Sequence, residues 1–210
     1  MGASRPKRGR PPLSLEGQRQ RLLDAARQLL ERQELEAAGV RDIVAAAGMS
    51  SRAFYQAFDS KDALILALAR EIAERFLQRL EAVPNPSGSP DAERVADLLL
   101  DPYVEIAAPL VALDGTRLAR STADTLRKIR ADLIERSLDV MFEKFERGVR
   151  AGVLAELPDR TAYGIVLRGV ESLTADLSRR GRLPELEALR ASIRKLLLAQ
   201  VSFASPSGRR

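Results

Sequence analysis

The 210-residue chain is 45% hydrophobic and 30% charged, and it contains neither cysteine nor histidine. Disulfides, thiolate or zinc centres and a histidine general base are therefore excluded, and no carboxylate cluster suggests another metal or a cofactor. No apolar run reaches the length of a membrane span, and the basic N-terminus leads into PPLSLEGQ rather than an apolar signal core, so a cytoplasmic protein with no membrane contact is expected.

The net charge of +5 is unevenly placed. Residues 1–21 hold six basic groups against one acid, Glu16, while the remainder balances at 28 of each sign. Such an asymmetry implies a polyanionic partner at that end. Residues 1–14 form a basic Pro/Gly-rich arm with no means of building a core. Within it, Arg8-Gly9-Arg10-Pro11 resembles an AT-hook: a flat, glycine-centred backbone would lie in a narrow minor groove whose potential draws in Arg8 and Arg10. A disordered basic tail acting through counterion release fits the same four residues equally well.

Helix 1 is expected from Leu15 or Glu16 to Gln33, capped by Ser14, with Leu22, Ala26, Leu29 and Leu30 as its buried stripe. Then comes GVRDIVAAAGMSSRAFYQAFDSK, residues 39–61, on which the rest of the chain is centred. It reads as two short helices, Val40–Ala47 and Ser51–Phe58, turning at Gly48 with Ser50 as the second N-cap. Phe54 and Phe58, four apart, face inward. Ser51, Arg52, Tyr55 and Gln56 face outward and offer hydroxyls, a guanidinium and an amide to phosphates and base edges. Three of the nine aromatic residues fall within 54–58. A plain helical hairpin would explain Phe54 and Phe58 but not Arg52 and Tyr55; a DNA-binding helix-turn-helix over 39–58 explains all four.

The segment AAAGMSSRAFYQAFDSKDALI resembles the recognition-helix signature of the tetracycline-repressor (TetR) family of bacterial regulators, through Ala47, Gly48, Ser50, Phe54, Tyr55, Phe58, Ser60, Lys61 and Leu64. VRDIVAAAG and RLLDAARQLL are similar too, so about fifty residues match closely and the rest only in layout. The resemblance implies phosphate contacts from Tyr55 and Lys61. Gly39, Ala53 and Ala57 depart from the family pattern, each lacking a side chain that often reaches the DNA backbone. Arg52 and Gln56, one turn apart, are the expected base readers.

Helix 4 is capped by Asp59 or Ser60 and runs to about Val83, with Ile65, Leu68, Ile72, Phe76 and Leu80 on one face. PNPSGSP (84–90) ends it, and Pro102 and Pro109 interrupt 91–113. A helix, or a short one and then a long one, covers 116–151, with the stripe Ile134, Leu138, Met141, Phe145 and Val149, ending at Gly152. A further helix from about 160 to Arg180 carries Tyr163, Val166, Val170, Leu173 and Leu177, and a second face of Ala162, Ile165, Gly169 and Ser172. The last helix is expected from Pro184 to Phe203, with Leu186, Leu189, Ile193, Leu196, Leu197 and Val201. Both final helices are apolar on more than one face. Burial on two sides of one bundle would account for that, as would the intersubunit four-helix bundle that the resemblance implies, through 160–180 and 184–203.

The fold class expected is all-α: a disordered arm (1–14), a three-helix helix-turn-helix domain (15–75), a helical ligand-binding and dimerisation domain (76–205) and a short tail (206–210). The function expected is a homodimeric, ligand-responsive repressor binding double-stranded DNA at an inverted repeat, and not an enzyme. The alternative is a nucleoid or structural DNA-binding protein whose bundle takes a protein partner. Loosened packing around Pro102 and Pro109 marks a pocket, with Tyr103, Met141, Phe142 and Phe145 as lining candidates and a small lipophilic effector as its ligand.

Overall fold

The computed structural model describes residues 14–84, 100–107, 110–111, 113, 118–182 and 185–204. Arg8, Arg10, the 84–90 loop beyond Pro84, Pro109, Pro184 and the 206–210 tail lie outside them. Eight helices are defined among the described residues: α1 (Leu15–Glu31), α2 (Val40–Ala47), α3 (Ser51–Ala57), α4 (Lys61–Glu81), α5 (Arg120–Arg150), α6 (Arg160–Arg179), α7 (Glu185–Ala188) and α8 (Arg190–Leu198). A single π-helical turn spans Tyr103–Ala107.

Local chemistry sets the ends of these helices. The hydroxyls of Ser14, Ser50 and Ser60 accept the amides of Gly17, Ala53 and Ala63 at 3.1, 3.2 and 3.0 Å, and the Asp159 carboxylate accepts that of Ala162 at 2.8 Å. Before α2, where Gly39 has no side chain to cap with, Asp42 accepts the Gly39 amide at 2.7 Å instead. Gly48 takes the left-handed conformation (φ 62°) that the tight corner demands, and the Met49 amide returns to the Val44 carbonyl at 2.8 Å. Gly152 (φ 69°) ends α5 in the same manner, with the Val153 amide on Gly148.

Helices α1, α2 and α3 close over a small core in which Leu22, Ala26, Ile43 and Phe54 are wholly buried. Helix α4 belongs to both halves. Its first turns seal this core with Leu64 and Leu68, and its last turns carry Phe76 and Leu80 into the C-terminal bundle. Along its length α4 lies parallel to α5 and is tied to it at three heights. The Asp62 carboxylate accepts the Ala119 amide at 3.1 Å, Arg136 grips Glu74 through two bonds of 2.6 and 3.1 Å, and the buried Lys144 ammonium donates to the carbonyls of Glu81 (2.9 Å) and Val83 (2.6 Å).

Four boundaries differ from the sequence expectation. Helix α1 stops at Glu31 because Gln33 enters the left-handed region (φ 60°). Helix α3 stops at Ala57, and Phe58 becomes extended so that its ring turns back to Phe54. Helix α5 begins at Arg120 rather than Thr116. The expected final helix is two, α7 and α8, and it ends at Leu198 rather than Phe203. Residues beyond it pair with the segment after α5: the Ala155 amide donates to Ser202 at 2.9 Å and the Ala204 amide to Val153 at 3.0 Å, forming an isolated antiparallel bridge of Leu154 with Phe203.

Candidate DNA interface and ligand cavity

Helix α3 separates its residues by face. Phe54 and Phe58 are buried with ring centroids 6.0 Å apart, while Ser51, Arg52 and Gln56 are exposed and Tyr55 is 60% exposed. The Tyr55 and Phe54 rings meet in a T-shaped contact with centroids 5.3 Å apart, which ties the exposed ring to the buried one. All four outward residues therefore share one accessible surface on a helix whose other side is locked in the core.

Two cations brace the domain around this helix. Arg19, on α1, donates to the Ala57 carbonyl at 3.2 Å and stacks its guanidinium 4.4 Å from the Phe58 ring centroid. Sequence reasoning counted Arg19 only as part of the basic end, although its place one turn before Leu22 and Leu23 was available as a signal. Lys61 was expected at a phosphate because it did not suit a core. Its ammonium instead bonds the carbonyls of Ala38 (2.6 Å) and Glu36 (3.0 Å), tying the start of α4 to the loop before α2. Burial lowers its pKa, against the pull of Asp62, Glu36 and Asp42. Two of its three donors are thus engaged within the protein, which makes Lys61 a positioning residue first.

The second site is a cavity of about 70 Å³ enclosed by α4, the π turn, α5, α6 and α8. Phe76, Leu80, Leu133, Val170, Ile193 and Leu197 form much of its wall. Tyr103 and Met141, two of the four sequence candidates, line it. Phe142 and Phe145 do not. They pack edge-to-face with each other at 5.3 Å and against the fully buried Tyr163 of α6 at 6.1 and 5.3 Å, which makes them part of the α5–α6 seam. Arg130 and Glu171 also stand in this otherwise apolar wall, joined at 2.7 Å. Their positions were legible: Arg130 continues the α5 series Leu126, Leu133, Ser137 and Met141, and Glu171 follows Leu167 and Val170. The Tyr103 hydroxyl meets Thr174 Oγ1 at 2.8 Å, and burial raises its pKa to about 12, so it stays protonated.

On the outside of the bundle, Ile165, Leu173 and Leu196 are 66%, 37% and 54% exposed. Gly169 and Ser172 share that surface, and a Cβ placed on Gly169 would meet nothing within 4 Å. Among the described residues there is no group of acids that could hold a metal ion, and no helix long and apolar enough to cross a membrane.

Residues 22–68 match the family described as bacterial regulatory proteins, tetR family. The chain is 32% identical over 90 residues to the uncharacterised HTH-type transcriptional regulator YvdT of Bacillus subtilis, covering 43% of this chain and 45% of that one. It is 32% identical over 89 residues to the HTH-type nicotine-responsive transcriptional repressor HdnoR of Paenarthrobacter nicotinovorans, covering 42% and 45%. The match thus spans less than half the length of either curated relative. Among solved structures, a TetR transcription regulator from Haloarcula marismortui superposes with a TM-score of 0.67 at 19% identity, over 89% of this chain and 100% of that one. The transcriptional regulator FadR from Bacillus subtilis, in complex with stearoyl-CoA, gives 0.61 at 19% identity over 86% and 98%. At such identities these likenesses establish the shared all-helical fold.

Proposed function

We propose that this chain, whose residues 22–68 match the tetR family, is a homodimeric, ligand-responsive transcriptional repressor acting at an inverted-repeat operator. The observation that carries this reading is the outward face of α3, where Ser51, Arg52, Tyr55 and Gln56 stand free while Phe54 and Phe58 anchor the helix. Arg52 and Gln56 read base edges in the major groove; Tyr55 contacts phosphate, and Lys61 adds its third donor there. Arg8 and Arg10 extend the contact along the neighbouring minor groove. Selection of bound DNA from random sequence tests the reading. A motif with two-fold symmetry is the expected product, and an unstructured pool would sink it.

The dimer forms through the Ile165–Gly169–Ser172 face of α6 together with α8, where exposed apolar side chains leave a surface to cover. Gly169→Arg is expected to fold, since the site is open in the protomer, but to sediment as a monomer and lose the operator. An intact dimer would move the interface elsewhere. The cavity favours a small effector over the rival reading, in which the bundle binds only a protein. HdnoR is named as nicotine-responsive, and the FadR structure holds stearoyl-CoA, so related chains and folds take small molecules. Effector binding shifts α4 and α5 and changes the spacing of the two recognition helices, with a coupling of about 1–3 kcal/mol typical of such switches. Met141→Arg should abolish release by effector while leaving operator affinity near wild type. Unchanged induction would show that the cavity is not the sensing site.

A further inference from the structure

The ligand-responsive reading leaves the chemistry of the effector open, and the cavity wall narrows it. Three polar contacts on the described wall are made within the protein. Arg130 Nε donates to Glu171 Oε1 at 2.7 Å, the Tyr103 hydroxyl is bonded to Thr174, and the Ser137 hydroxyl donates to the Leu133 carbonyl. Arg130 and Glu171 are the two ionic residues of that wall, and their charges cancel. Both are largely buried, with side chains 13% and 21% exposed, in surroundings otherwise formed by leucine, isoleucine, valine, phenylalanine and methionine.

A carboxylate entering this space would meet a pair whose charges already cancel, and to claim Arg130 as its own counter-ion it would have to draw it from Glu171. An ammonium ion would do the reverse. Either exchange strands one charge in an apolar enclosure, the situation that makes breaking a buried pair strongly unfavourable. An uncharged molecule strands nothing, gains the apolar contacts, and can share a hydrogen bond with the polar edge of the ion pair. Size bounds it further. About 70 Å³ of such space is roughly five to seven times what one water-sized sphere needs, room that a compact molecule fills.

We infer that the effector is a compact, uncharged, predominantly apolar molecule, and that the Arg130–Glu171 pair is the specificity element that rejects its ionic counterparts. The inference rests on the proposed ligand-responsive function and narrows it to one chemical class.

The test uses the full-length protein and three probes of one chain length: 1-hexanol, hexanoate and hexylammonium. Binding is followed by calorimetric titration and by the rise in thermal midpoint. The expected result is that 1-hexanol binds about tenfold or more tightly than either ion, a difference that one displaced ionic contact readily supplies. Glu171→Gln should then reverse the order, because an arginine lacking its carboxylate favours hexanoate; Arg130→Met should in the same way favour hexylammonium. Tighter binding of either ion to the wild-type protein would overturn the inference while leaving ligand response standing. If none of the three binds, the inference and the small-molecule reading of the cavity fall together.

Discussion

The two halves of the molecule place their apolar side chains differently. Around α3, Leu22, Ala26, Ile43, Phe54 and Leu64 are fully buried in a core drawn from four helices, and Arg19 and Lys61 clasp the backbone at its edges. In the C-terminal half the same kinds of residue enclose a cavity and also leave Ile165, Leu173 and Leu196 in the open. A surface that must match the spacing of DNA grooves needs fixed side chains, and close packing supplies them. Under the proposed function the C-terminal half would take a ligand and a second subunit, tasks that call for unfilled space inside and uncovered apolar surface outside. The sequence devotes similar leucine-rich helices to both tasks, so the difference lies in packing rather than composition.

The contrast is most easily broken at Phe54. Truncation to alanine inside the closed core should destabilise the protein by about 3–5 kcal/mol and remove operator binding, as measured by denaturant unfolding and DNA titration. A loss of less than about 1 kcal/mol would mean that this half is as yielding as the other. Next in size is Arg52→Ala, which should leave the fold intact and relax discrimination at one base pair per half-site by about 1–3 kcal/mol. An unchanged selected motif would show that Arg52 does not read sequence.

Leu167→Phe sharpens the comparison from the loose side. This residue lines the cavity, so the larger ring has room, and stability should stay within about 1.5 kcal/mol of wild type or rise. Effector response should weaken as the space fills. The same enlargement in the α1–α3 core would be expected to destabilise, and an equal penalty at Leu167 would remove the distinction. The smallest effect concerns Glu74. The hydrogen bond from Arg136, followed by that cation's charge, holds the Glu74 carboxyl below its ordinary 4.5. Its stabilising contribution is therefore present above that value and disappears as pH falls through the lower folded-state value. Both side chains are about half exposed, so the contribution is small. Glu74→Gln should unfold slightly earlier than wild type near neutral pH, and the gap should close in acid; a gap that persists there would assign the effect to packing.

What could be read from residues alone follows the same division. Helix α2 was legible to its ends because Gly39, Asp42 and Gly48 are local signals acting over three or four residues. The inward and outward faces of α3 were legible because four-residue spacing fixes which side chains share a side. Neither the family resemblance nor the spacing revealed that Lys61 turns to the carbonyls of Glu36 and Ala38, which depends on where a loop 23 or 25 residues away comes to lie. Phe142 and Phe145 show the same gap. Their pattern marks an apolar face of α5, but only the approach of Tyr163 decides that they join a seam instead of the cavity. The break between α7 and α8 had no sequence signal, since Leu186, Leu189 and Ile193 keep helical spacing across it.

The three ties between α4 and α5 have a mechanical consequence. With Asp62, Glu74 and the end of α4 each bonded to the partner helix, a swing of α4 alone would break all three ties, whereas the two helices turning together as one beam would keep them. Helix α5, at 31 residues, is about 46 Å long, and under the proposed function an effector in the cavity would meet it near its middle, between Arg130 and Met141. A beam of that length converts a rotation of about 5° into a travel of roughly 4 Å at its tip. The tip nearest Ala119 rests on the base of the DNA-binding domain. If the chain is the effector-responsive dimer proposed above, leverage, rather than a large change of shape in the cavity, would displace one recognition helix relative to its mate.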